Sequence, residues 1–222
     1  MSLLSRSTRG AVALLALSLG LVSTEARAAS VSYTGTFPLS PYLNGGTYNF
    51  APVGFMKFDL VGQCLTSVCI VVDGGLNGQI AFENYQLFPV VVNVNFTGTI
   101  TLKRPDSSPI LTVQPLTTTS DNMPIFDGVL DYGGTSGKTY PNVLATKADS
   151  LCLTSASDLA LFTGNGAIAL LASATDLCSQ VGASSWSIGP KAYANVTVTY
   201  NYRDCTVPAE RQTWGRIKSN YR

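Results

Sequence analysis

Residues 92–102 read VNVNFTGTITL, and their alternation decides the fold. Val92, Val94, Phe96, Ile100 and Leu102 share one face, while Asn93, Asn95, Thr97, Thr99 and Thr101 share the other, the period of a strand with one face buried. Residues 194–202, ANVTVTYNY, repeat the pattern: Ala194, Val196, Val198, Tyr200 and Tyr202 alternate with Asn195, Thr197, Thr199 and Asn201. The same reading predicts further strands at 30–37, 54–60, 67–72, 78–84, 110–114, 126–130 and 167–174. Between them stand Asp73-Gly74-Gly75, Asn77-Gly78, Gly133-Gly134 and Gly164-Asn165-Gly166, dipeptides that supply the positive φ of tight turns. Only 157–162 reads as helix, with Ser155 or Ser157 as N-cap, Asp158 in the first turn and Gly164 as the stop. The predicted fold is therefore all-β: one antiparallel β-sandwich of about nine strands, Greek-key or jelly-roll-like, with one short helix. No segment repeats at a fixed period, which disfavours a solenoid or propeller.

Composition narrows the chemistry. The chain has 222 residues, 12% of them charged and none of them histidine. Without histidine there is no Ser-His-Asp or Cys-His pair and no histidine-ligated zinc. Ser, Thr and Asn number 22, 23 and 12, so polarity is carried by neutral hydrogen-bonding groups, which argues against nucleic acid as a partner.

The N-terminus reads as an address. Arg6 and Arg9 precede an apolar stretch with AVALLALSLGLV at its heart, and Ala26-Arg27-Ala28 follows as a small-x-small site. Residues 1–28 are expected to be a secretory signal peptide cleaved after Ala28, since a permanent span needs about 20 apolar residues. The mature chain then divides into a domain at 29–205 with seven basic and eleven acidic residues, and a tail at 206–222 with four basic residues against Glu210. No transmembrane segment is expected in it, and its destination is expected to be the medium or the cell surface.

In an oxidising compartment the five cysteines favour disulfides. Cys64 and Cys69 are close enough in sequence for a local clip, and Cys152 and Cys178 flank a segment they could staple. That leaves Cys205 as a free thiol or as a competitor for Cys178; spacing alone does not choose the connectivity.

Several stretches also resemble a family. FTGTITLKRPDSS (96–108), FDGVLDYGGTSGKTY (126–140), DLALFTGNG (158–166) and NVTVTYNY (195–202) resemble, in that order, the choice-of-anchor E domain. SYTGTFPL (32–39), KFDLVGQCLTSV (57–68) and GQIAFEN (78–84) fit the same pattern. The resemblance implies a secreted bacterial protein with a β-rich domain, and a sorting tail of the PEP-CTERM type. Here Val207-Pro208-Ala209-Glu210 and Thr213-Trp214-Gly215 resemble a degenerate form of that tail, followed by RIKSNYR rather than a hydrophobic helix. Release without anchoring is the favoured expectation, frameshift or divergence the alternative. The resemblance implies no catalytic residues.

Candidate sites follow from residue types. Asp127 and Asp131 would point to one face of a persistent strand, roughly 13 Å apart. A turn at 131–134 could fold Asp131 back and let Asp121 join an oxygen-only site for calcium, the one cofactor these residue types suggest; capping of nearby turn amides is the favoured role. Tyr33, Tyr42 and Tyr48, with Phe50, lie close together in sequence and are candidate glycan-stacking residues, against core packing as the commoner fate. The expected function is non-enzymatic: a structural or adhesive component of the bacterial surface or extracellular matrix, meeting exopolysaccharide or other surface proteins. A carbohydrate-binding module is the alternative, and a glycan-processing enzyme with paired carboxylates the less favoured one.

Overall fold

The computed structural model describes residues 28–205; residues 1–27 of the expected leader and the 206–222 tail lie outside the described residues. Eleven strands and one helix follow in order: β1 (Ala29–Phe37), β2 (Thr47–Asn49), β3 (Val53–Met56), β4 (Gln63–Glu83), β5 (Val90–Lys103), β6 (Pro109–Val113), β7 (Leu116–Met123), β8 (Gly137–Leu153), α1 (Ala156–Phe162), β9 (Ala167–Asp176), β10 (Ser179–Val181) and β11 (Ser185–Asp204). The fold is an all-β sandwich of two antiparallel sheets. One sheet has the order β1-β11-β4-β8; the other is centred on β5 in the order β10-β5-β9-β2, with β6 and β7 also on β5 and β3 on β9.

Two strands that alternate as the sequence predicts supply the centre of each sheet. Val92, Val94, Phe96, Ile100 and Leu102 of β5 are buried, and so are Ala194, Val196, Val198 and Tyr200 of β11. Val68, Ile70, Val72, Leu76, Ile80 and Phe82 of β4 join the same core, as do Ile168, Leu170, Ala172 and Ala174 of β9. On the outer faces neutral side chains bond across strands, Ser32 to Thr199 at 2.8 Å, Thr36 to Asn195 at 3.0 Å and Thr101 to Thr112 at 3.0 Å. Thr97 departs from this rule: it is buried and donates its hydroxyl to the Pro115 carbonyl at 2.8 Å.

Three expectations are corrected. First, 67–72 and 78–84 are not separate strands joined by glycine turns; they lie within the 21-residue β4. Gly74, Gly75 and Gly78 serve close approach instead of chain reversal. A Cβ on Gly74 would sit 2.6 Å from Val113, one on Gly75 2.3 Å from the Tyr193 ring, and one on Gly78 1.9 Å from the Gly189 carbonyl oxygen. Second, 126–130 is loop, with Gly128 at φ 97°, Tyr132 at 56° and Gly134 at 59°. Third, the disulfides are Cys64–Cys205 and Cys69–Cys152, and the free thiol is Cys178. Cys64 and Cys69 lie five residues apart on one extended strand, roughly 16 Å of chain, so a clip between them is ruled out by strand geometry. Cys152 on β8 stands directly opposite Cys69 on β4, while Cys205 is placed beside Cys64 by the last ladder pairs and by its amide bond to the Gly62 carbonyl at 3.0 Å.

The helix is as short as expected. Ser155 is its N-cap: the Ser155 hydroxyl accepts from the Asp158 amide at 3.1 Å and donates to the Asp158 carboxylate at 2.8 Å. The Arg104 guanidinium, donating to Asp158 at 2.8 and 2.9 Å, ties α1 to the β5–β6 connection.

Candidate functional site

The register of the first sheet gives the molecule two unlike ends. Ala29 pairs with Tyr202, and Asp204 with Gln63, so the start of β1 and the end of β11 lie together beside the Cys64–Cys205 bridge. At the other end of β11, Ser185 pairs with Glu83. The twenty residue steps between Gln63 and Glu83 make β4 roughly 65 Å long before twist.

At that far end a buried polar knot holds two loops. Glu83, Asn84 and Ser136 are fully buried. The Glu83 carboxylate accepts from the Tyr132 amide at 2.6 Å, the Asp131 amide at 3.3 Å and the Ser136 hydroxyl at 2.6 Å. Asn84 donates to the Phe88 and Pro124 carbonyls at 3.0 and 2.7 Å and accepts from the Gln86 amide at 2.9 Å. With its oxygens satisfied a buried carboxylate is tolerated, and the backbone groups it binds are held in one geometry. Above the knot, Leu87, Phe88, Ile125, Val129 and Leu130 are exposed, Leu87 at 87%. Sequence reasoning missed Glu83; the only signal was an acidic residue at the end of an otherwise apolar run.

This knot accounts for two of the aspartates. Asp127 accepts from the amides of Thr135 at 2.9 Å, Val129 at 3.1 Å and Ser136 at 3.4 Å, which hold its carboxyl below the usual range. Asp131 accepts from the Gly133 amide at 2.7 Å. Asp121, on β7, is engaged by the Lys138 ammonium and by the Tyr140 hydroxyl at 2.9 Å, and the Lys138 pKa is raised first by that carboxylate contact. Calcium requires six to eight oxygens converging on one point; here the three carboxylates face separate partners, and among the described residues no three acidic or thiol side chains group around a metal position.

The three candidate tyrosines are not brought into one platform. Tyr33 packs edge-on against Tyr200 at 5.9 Å and Tyr48 perpendicular to Phe50 at 5.1 Å, both against the core. Of the three, Tyr42 alone is half exposed, its ring over Gly189 with the Lys191 ammonium 4.3 Å from its centroid.

A depression of about 330 Å³ opens instead near the far end, lined by Asn44, Gly45, Asp176, Cys178, Trp186, Ser187 and Ile188. Its floor is a clasp: Asp176 accepts from the Gly45 amide at 2.9 Å and the Cys178 amide at 2.8 Å, joining the 44–46 and 176–178 turns. Trp186 lies on the same side of β11 as buried Pro190 and Ala192, yet is half exposed and shares the lining of the depression with these turns. The Cys178 thiol donates to the Thr97 carbonyl at 3.3 Å, and burial, with Asp176 nearby, pushes its pKa up to about 12. Thiolate chemistry at neutral pH is therefore suppressed.

No known family model matches the chain, and no curated protein does. Among solved structures, 89% of the chain is similar to 42% of a chain in the structure of the infectious bursal disease virus Gx strain, at 12% identity and a TM-score of 0.22. A chain in the crystal structure of the T13 IBDV viral particle is similar over 93% of this chain and 49% of its own length, at 12% identity and a TM-score of 0.18. The chain spans less than half the length of either, and at such scores the likeness carries no argument.

Proposed function

We propose that the chain is an exported, non-catalytic structural or adhesive protein of the bacterial cell surface or exopolysaccharide matrix. The observation that carries this reading is the two-ended architecture. Both termini of the described domain leave beside one disulfide, where Leu60 and Val61 are exposed, while a larger group of exposed apolar side chains stands at the opposite end on loops held by a buried polar scaffold. Exposed apolar surface of this kind marks contact sites, and holding it on a braced sheet far from the chain ends leaves it free to meet a partner. The leader-like N-terminus and two disulfides favour an oxidising destination. The neutral Ser/Thr/Asn faces offer hydrogen bonds to glycans without the salt sensitivity of a charged patch.

Fractionation of a bacterium expressing the full chain tests this. Immunodetection is expected in the culture medium or the extractable matrix. Retention in the cytoplasm or inner membrane would overturn the reading.

A further inference from the structure

We propose that the Trp186 depression is a binding site for one neutral pyranose unit of a glycan. The inference rests on the adhesive reading for its biological setting but not for its chemistry. The size is appropriate: about 330 Å³ falls at the lower end of the roughly 300–1,000 Å³ of small-molecule sites. One wall is the half-exposed Trp186, whose flat apolar face matches the C–H face of a sugar ring and whose indole N–H is a hydrogen-bond donor.

The same lining carries groups suited to hydroxyls. Asp176 accepts from the Gly45 amide on one carboxylate oxygen and from the Cys178 amide on the other, and a carboxylate oxygen has lone pairs for a further donor. Asn44 adds an amide able to donate and accept, from a residue held at φ 48°. A carboxylate accepting from one hydroxyl beside an amide bridging its neighbour is the arrangement that vicinal diols require. The charge decides the sugar class: among the described residues Asp176 is the only charged one in the lining, so an acidic sugar would meet a like charge there. Because the carboxylate already holds two turns, the wall is formed before any ligand arrives, which limits the ordering cost of binding.

The chain contains two tryptophans, Trp186 and Trp214, so Trp214→Phe leaves Trp186 as sole reporter. That protein is titrated with methyl glucoside, methyl galactoside, methyl mannoside and N-acetylglucosamine, with glucuronate as the charged comparison. At least one neutral sugar is expected to give a saturable fluorescence change below about 50 mM, and glucuronate to bind at least about tenfold more weakly. Asn44→Gly keeps the left-handed backbone and removes the amide; it is expected to weaken binding about tenfold with the thermal midpoint unchanged. Trp186→Ala, followed by calorimetry, is expected to abolish binding, and Tyr42→Ala, on the opposite side of β11, to leave it intact. No saturable response to any neutral sugar, or binding that survives both Trp186→Ala and Asn44→Gly, would overturn the proposal. If the Trp186→Ala protein still sediments with matrix polysaccharide, the depression is excluded as the adhesive contact while the adhesive reading stands. Failure of export with sugar binding intact has the reverse meaning.

Discussion

At the residue scale, the glycines and cysteines show how one residue type serves unlike ends. Asp73-Gly74-Gly75 and Asn77-Gly78 carry the signature of turns, yet they sit inside β4 because neighbouring groups need the volume a Cβ would fill. For Gly78 the obstacle is the backbone carbonyl of Gly189, which cannot rotate away; for Gly75 it is the far end of the Tyr193 ring, which can; for Gly54 the nearest atom is at 3.8 Å. Gly78→Ala is therefore expected to destabilise by about 1–3 kcal/mol, Gly75→Ala by less and Gly54→Ala least, as read from chemical denaturation midpoints. Cys178 provides a second prediction. Its thiol pKa is raised to about 12, chiefly by burial, so the folded state favours the protonated form. That contribution to stability is fully present below the unfolded thiol's pKa and is lost as pH rises through the folded value near 12. Native protein at pH 8 is expected to resist iodoacetamide, while unreduced protein in denaturant takes up one label, at Cys178. Labelling at Cys205 would contradict the disulfide pairing.

At the element scale, strands were legible where one face is buried and the other polar, and illegible where that contrast fails. β5, apart from the buried Thr97, and the second half of β11 alternate as their sequences predict. β8 pairs only with β4 at the sheet edge, and from Thr146 to Cys152 every residue is exposed, so no apolar period announced its 17 residues. The 126–130 segment looked like a strand because Phe126, Val129 and Leu130 are apolar, but they ride on a loop whose shape is set by Glu83 from another element. Glu83→Ala leaves the Tyr132 amide and Ser136 hydroxyl without their acceptor, at about 1–3 kcal/mol for each buried group. Limited proteolysis should then cut within 124–136 well before the rest of the domain; unchanged protection would show that the apolar residues hold the loop without the knot. At α1, Ser155→Ala is expected to cost about 1 kcal/mol. The Asp158 carboxyl there is lowered first by the Ser155 hydroxyl and then by Arg104. Its contribution is present above the ordinary carboxylate range and fades as pH falls through the lowered folded value.

At the scale of the whole molecule, the two bridges span 141 and 83 residues of sequence, one inside the other; Cys69–Cys152 joins β4 to β8, and Cys64–Cys205 joins β4 to the residue that follows β11. Loop-closure entropy assigns such loops about 4–5 kcal/mol each in isolation and less in sum when nested. Replacing Cys69 and Cys152 by serine is expected to lower the unfolding free energy by about 2–5 kcal/mol, measured by urea denaturation, without loss of sheet content by circular dichroism. An unchanged midpoint would mean that the pair does not brace the sheet. By itself the sequence determined the sandwich class, the inward faces of its central strands, the short capped helix and the absence of histidine chemistry. All of these depend on residue identity and local spacing, because a period of two and a capping serine act over a few residues. Tertiary structure alone decided which cysteines meet, which glycines are packed rather than turned, that Glu83 is the centre of a knot, and that Trp186 rather than the early tyrosines faces a depression. Each of those depends on segments distant in sequence being brought together, as Ser136 meets Glu83 across 53 residues and Cys205 meets Cys64 across 141, and local periodicity contains no information about which distant strand will lie alongside.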